Sequence, residues 1–122
     1  MSNSINWFEI PVTDFARAKK FYGHITGNDL HEEQMGPCTM GFLGGGETGV
    51  HGAIVMGEGY EPSANGALIY LNGGEDLSGM LAKVEEAGGS VVVPKTEITP
   101  EIGFFAIFMD TEGNKVAMHS PK

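Results

Sequence analysis

Cysteine is all but missing: Cys38 stands alone in 122 residues, which excludes an internal disulfide and a zinc site built from cysteines. Basic residues are scarce too. Seven Lys and Arg against 16 Asp and Glu leave a net charge of −9. That balance argues against a nucleic-acid partner, whose phosphates need a basic face, and against anionic membrane surfaces. No apolar run approaches the roughly 20 residues that span a bilayer. Met1 to Asn6 shows neither a basic start nor an apolar stretch, so no export signal is expected and the cytoplasm is the expected compartment. The length fits one domain with one core. Hydrophobic residues at 41% are too many for a disordered acidic tail. Glycine is in excess, 19 of 122, mostly in short clusters that suggest tight turns between short strands.

Two segments carry helical spacing. After Asp14, an N-cap residue, Phe15, Ala18, Phe21 and Tyr22 recur on one face, and the segment ends near Gly23 to Gly27. The second starts at Asp76, again read as N-cap, runs through Leu77, Met80, Leu81, Val84 and Ala87, and stops at Gly88-Gly89. Its Glu85 and Glu86 read as a solvated face rather than an acid/base pair. Strands are expected at 5–12, 30–35, 39–43, 50–56, 67–72, 90–95, 104–110 and 115–119. The order strand, helix, three strands occurs twice: Trp7 to Ala67 is a shift of 60, and Asp14 to Asp76 and Gly27 to Gly89 are shifts of 62. The expectation is an α+β fold of two tandem βαβββ modules, about 1–58 and 64–122, forming one domain over 1–122. Their curved mixed sheets should share a cleft, with a helix outside each.

Asn6-Trp7-Phe8-Glu9-Ile10-Pro11-Val12-Thr13-Asp14, followed by Ala18-Lys19-Lys20-Phe21-Tyr22, resembles the opening module of the vicinal oxygen chelate superfamily, which includes glyoxalase I, bleomycin-resistance proteins and extradiol dioxygenases. The second half is similar in Glu86-Ala87-Gly88-Gly89 and in Ala106-Ile107-Phe108-Met109-Asp110-Thr111-Glu112-Gly113-Asn114. The resemblance covers the whole chain and implies the fold, not the reaction. It also implies a divalent metal held by four strand residues, usually His or Glu. Carried over individually, those positions fall on Trp7, Ala67, Ala117 and near Ala53, with His51 close by. Indole and methyl groups offer no lone pair suited to a divalent ion. The expectation is therefore no metal and no cofactor, in a chain similar to glyoxalase-related proteins of unassigned activity. The resemblance, with an open sheet edge in each module, further implies a homodimer that completes its cleft across two chains.

Strand alternation locates the cleft. Phe8, Ile10 and Val12 should meet the helix, which leaves Trp7, Glu9 and Pro11 in the cleft. Val116 and Met118 likewise leave Lys115, Ala117 and His119, and His51, Ala53 and Val55 share a face. The candidate ligand-binding residues are Trp7, Glu9, His51 and His119, with Tyr70, Met35 and Met40 near the rim. Glu9, His51 and His119 are also the catalytic candidates. The plainer readings are a Glu9 satisfied by a backbone donor or a nearby His, packed or solvated His51 and His119, and Trp7 as a pocket wall. His24 and His31 read as surface residues. Gly44 to Gly49 matches G-x-G-x-x-G but precedes a strand, so it reads as a hairpin loop rather than a dinucleotide site. Cys38, without a Lys or Arg neighbour in sequence, reads as an inert or buried thiol.

Three functions follow. The first is binding of a small apolar or aromatic molecule, neutral or cationic, in a metal-free cleft. The second is a metal-dependent lyase or isomerase of glyoxalase type, with Glu9, His51 and His119 as a relocated two-histidine, one-carboxylate site. The third, a protein-interaction module using the sheet edges, has no positive support in the sequence.

Overall fold

The first helix, α1 (Phe15–Thr26), begins where Asp14 keeps an extended backbone and its carboxylate accepts the Arg17 N–H at 3.1 Å, as an N-cap should. Gly27, at φ 73°, closes the helix in the left-handed conformation. Phe15, Ala18, Phe21, Tyr22 and Ile25 form the buried stripe. Burying a side chain the size of Phe21 or Ile25 contributes roughly 1.5–3 kcal/mol. The second helix, α2 (Ser78–Glu86), starts later than the sequence suggests. Leu77, not Asp76, takes the cap position, and its N–H donates to Ser120 Oγ at 2.9 Å. Asp76 stands one residue earlier and accepts the Ser78 N–H. This helix start is thus held both locally by Asp76 and by Ser120 near the end of the chain. Gly88, at φ 101°, supplies the expected stop.

The computed structural model describes residues 4–44 and 49–122. Most of the 44–49 glycine loop therefore lies outside the described residues. Strands β1 (Trp7–Pro11), β2 (His31–Met35), β3 (Cys38–Leu43) and β4 (His51–Met56) form one sheet in the order β1-β4-β3-β2. Strands β5 (Tyr70–Asn72), β6 (Ser90–Thr99), β7 (Gly103–Met109) and β8 (Lys115–Ser120) form another in the equivalent order β5-β8-β7-β6. In each sheet the first and last strands pair in parallel and the others antiparallel. The fold is thus α+β, with the βαβββ plan stated twice.

Two strands depart from their expected limits by three residues or more, and the others by one or two at an end. β5 is three residues, not six, because Tyr70 pairs with Ala117 and β8 begins at Lys115, so no partner extends to Ala67. β6 runs on to Thr99 through three register shifts, and as an edge strand it tolerates Pro94. The helices cover one face of each sheet, and the core lies between: Ile10, Val12, Ile54, Phe21 and Tyr22 with Leu71, Phe108, Val116 and Met118. Phe8 lies flat across Gly52, its register partner, where a Cβ would meet the ring at 2.5 Å.

The turn after β7 joins the two halves. Asp110 accepts the Tyr22 hydroxyl at 2.7 Å and the N–H groups of Glu112 and Asn114. The Asn114 amide donates to Pro11 O at 2.8 Å, at the end of β1. Glu112 reaches the start of α1, where Oε1 accepts the Thr13 and Asp14 N–H groups and Oε2 accepts Arg17 Nε–H at 2.6 Å. Burial pushes the Glu112 carboxyl up, but the bonds from Arg17, Asp14, Thr13 and Thr111 together outweigh it and hold it at about 2. Each buried polar group here has its partner, as a low-dielectric interior requires.

Candidate functional site

Alternation along β1 sends Ile10 into the core, so Trp7, Glu9 and Pro11 occupy the face turned away from the helices. Pairing with β4 sets Trp7 beside His51, Glu9 beside Ala53 and Pro11 beside Val55. β3 adds Phe42 beside Ala53 and Met40 beside Val55, and β2 adds His31 beside Phe42. The row Glu9, Ala53, Phe42, His31 therefore crosses all four strands. Trp7 meets Phe42 edge-on, with ring centroids 6.2 Å apart and planes at 61°. These two rings come from strands on either side of β4, so the indole bridges across it. His31 stacks on the other side of Phe42 at 6.1 Å and 17°. Trp7 is 42% exposed, so an aromatic surface large enough to anchor a ligand faces solvent.

Glu9 is fixed from two sides. The Trp7 indole N–H donates to Oε2 at 3.2 Å, and the Tyr60 hydroxyl donates to Oε1 at 3.0 Å. Tyr60 belongs to the segment between β4 and β5. A turn in which its N–H donates to Gly57 O, with Gly59 at φ 91°, carries it back over this face, where it packs on Met40, Ala53 and Val55. Its hydroxyl is held above the usual phenol range, first by donating to Glu9 and second by the Glu9 charge, so it stays protonated as the donor. Glu9's partners are thus an indole and a phenol, not the backbone donor or histidine that the sequence suggests.

The structure brings Trp7, Glu9 and His51 onto one face and places His119 on the other sheet. His119 lies beside Asn72 and Phe105 in register, and its imidazole Nε2–H donates to Ile102 O at 2.6 Å. With Tyr70 and Asn72 it lines a shallow depression of about 430 Å³. Among the described residues no hydrogen bond or ion pair joins His119 to Glu9 or His51. The single cleft expected to hold all four is two patches within one chain. Met40 belongs to the first patch and is buried, Met35 lies on β2 at its margin, and Tyr70 belongs to the second patch. His31 is exposed, as a surface residue should be, yet it extends the aromatic row and bonds Glu33 at 3.1 Å. His24 pairs with Glu86 on the helix side. Cys38 is half-buried against Met40, Ala53 and Val55.

The family's metal positions do not fit a divalent ion here. Trp7 offers an N–H donor already used by Glu9, and Ala53 and Ala117 are fully buried methyl groups. Ala67 lies ahead of β5, and the residue opposite Ala117 is Tyr70. No three His, Cys, Asp or Glu side chains among the described residues approach as metal ligands would, so Glu9, His51 and His119 form no relocated site within one chain.

A larger open groove, about 840 Å³, runs along α1 on the helix side past Phe15, Lys19, His24, Glu32 and Met56. Within it Lys19 bonds Glu32, and His24 bonds Glu86 of α2. No helix among the described residues is long and apolar enough to cross a membrane.

Known proteins share this architecture. Maize glyoxalase I, as an E144Q mutant, superposes with a TM-score of 0.74 at 16% identity, over 97% of this chain and 45% of that one. This chain thus spans less than half of the maize enzyme. TnmS3, an antibiotic binding protein from Streptomyces sp. CB03234, superposes with a TM-score of 0.71 at 27% identity, over 100% of this chain and 99% of that one. A glyoxylase-like domain-containing protein of Didymella fabae is 29% identical across 97% of this chain and 94% of its own length. Residues 4–118 match the family model for the Glyoxalase/Bleomycin resistance protein/Dioxygenase superfamily, and with the twice-stated βαβββ plan the chain belongs to that superfamily.

Proposed function

We propose that this protein binds a small apolar or aromatic molecule, without a metal, on the face that carries Trp7, Glu9 and His51. The supporting observation is the exposed Trp7 ring, set edge-on to Phe42 beside a carboxylate fixed at both oxygens. The likeness to an antibiotic binding protein along its whole length supports binding rather than turnover. Nothing in the donor set favours the metal-dependent lyase. Trp7 is the only tryptophan, so its fluorescence reports ligands directly. Trp7→Ala should weaken binding by roughly 2–4 kcal/mol, as for aromatic anchors elsewhere. Ligands whose affinity survives that substitution would move the site away from this face.

The assembly we propose is a homodimer in which the Trp7 face of one copy meets the His119 face of the other. His119 then joins Trp7, Glu9 and His51 around one ligand. The exposed Trp7, Met35, Tyr70 and Ile102 are the apolar groups such pairing would cover. Sedimentation that gives only a 13.0 kDa species at micromolar concentration would refute it. The compartment we propose is the cytoplasm, supported by a single cysteine and thus no disulfide to keep oxidised. Cell fractionation tests it.

A further inference from the structure

We propose that Glu9 recognises positive charge, so that the ligand of this face is a flat aromatic cation; this rests on the reading that the face binds a small aromatic molecule. A carboxylate normally meets a cation or loses its order to solvent. Glu112 meets Arg17, Asp76 meets Lys95 and Glu32 meets Lys19. Like the buried Asp110, the exposed Glu9 is ordered without a cation. Its two oxygens are held by two neutral donors, Trp7 Nε1–H and Tyr60 O–H, and none of the ion pairs among the described residues includes it. Neutral donors fix the position of the carboxylate and leave its charge uncompensated. Each oxygen keeps a lone pair for a further donor.

The surroundings select for the same sign. The exposed Trp7 ring offers a π-face, whose quadrupole attracts a cation within about 6 Å. In register, Glu9 stands beside Ala53, with Pro11 and Val55 on one side and Trp7 and His51 on the other, so no Lys or Arg of these two strands adjoins it. The net charge of −9 enriches cations around the whole molecule. An ammonium or amidinium on a planar ring would set its charge at Glu9 and its ring against Trp7. Tyr60 acts as a positioning residue: delivered by the turn at Gly57 to Tyr60, it keeps the carboxylate from swinging out to water.

The test compares two rings of one shape, protonated 9-aminoacridine and neutral acridine, by equilibrium dialysis at neutral pH. The cation should bind about three- to fivefold tighter, as expected for a charge contact at an exposed carboxylate next to an aromatic ring. Glu9→Gln, which keeps shape and removes charge, should erase that preference. Tyr60→Phe should lower the ratio of cation to acridine affinity, whereas packing lost equally to both rings would leave that ratio unchanged. Equal binding of both rings, or a preference that survives Glu9→Gln, overturns the inference but not the reading of the face. Binding of neither ring removes the aromatic-ligand reading and this inference with it. A preference unchanged in Tyr60→Phe overturns the role given to Tyr60.

Discussion

The two halves share one plan and differ in how firmly each is built and what each displays. α1 has 12 residues, five of them buried, a local Asp14 cap and the Glu112 carboxylate at its start. α2 has nine residues, one buried, and a start held by Asp76 and Ser120. The open face of the first sheet carries an aromatic row beside a poised carboxylate. On the second sheet β5 is three residues long and His119 is already engaged with Ile102. The firmer half carries the proposed binding surface. That is consistent with the need to hold a recognition group in place before the ligand arrives.

Substitutions can break this comparison. The largest expected effect is in the core of the first half: Phe21→Ala should cost about 3–5 kcal/mol by denaturant unfolding. Leu81→Ala, on the half-buried side of α2, should cost under about 2 kcal/mol. Equal losses would mean that the halves are equally firm. In binding, Trp7→Ala should exceed Tyr70→Ala, for which we expect under about 1 kcal/mol of affinity. A reversed order in the same titration would shift the anchor to the second sheet.

Glu112 tests the junction. Glu112→Gln should cost on the order of 2 kcal/mol, because the part-buried N–H groups of Thr13 and Asp14 and the Arg17 guanidinium lose their anion. Its carboxyl sits at about 2 in the folded protein against an ordinary 4.5. The unfolded chain therefore takes up the proton first on acidification. The contribution is fully present above pH 4.5 and disappears as the pH falls through about 2. Acid titration of stability should show a loss of up to about 3 kcal/mol across that window, reduced in Glu112→Gln. The smallest expected effect is Asp14→Ala, about 1 kcal/mol for a lost N-cap, read as a shift of the denaturant midpoint.

Both helices, the duplicated plan and the facing of β1, β4 and β8 were legible because they rest on local periods. Ile10 and Val12 alternate with Glu9 and Pro11 whatever the rest of the chain does. Strand limits were less legible. Ala67 has strand-like neighbours, but its pairing depends on where β8 begins, fifty residues away. Within the site, Phe42 and His31 could have been found by carrying the alternation across the β2–β3 hairpin, since register partners share a face. Tyr60 offered no such signal, because a residue in an irregular segment has no period.

The sequence by itself determined the composition limits, the two amphipathic helices and the repeat, and it sets Trp7, Ala67, Ala117 and, near the fourth, Ala53 where the family resemblance implies metal ligands. These are properties of residue identity and short-range spacing. Tertiary structure alone decided that Tyr60 lies on Glu9, that Trp7 bridges to Phe42, and that His119 stands apart from Glu9 and His51. It also turned Asp110 to Asn114 from a signature into the joint between the halves. Such contacts join residues tens of positions apart, and only the packing of two sheets and two helices around one core sets the distances between them.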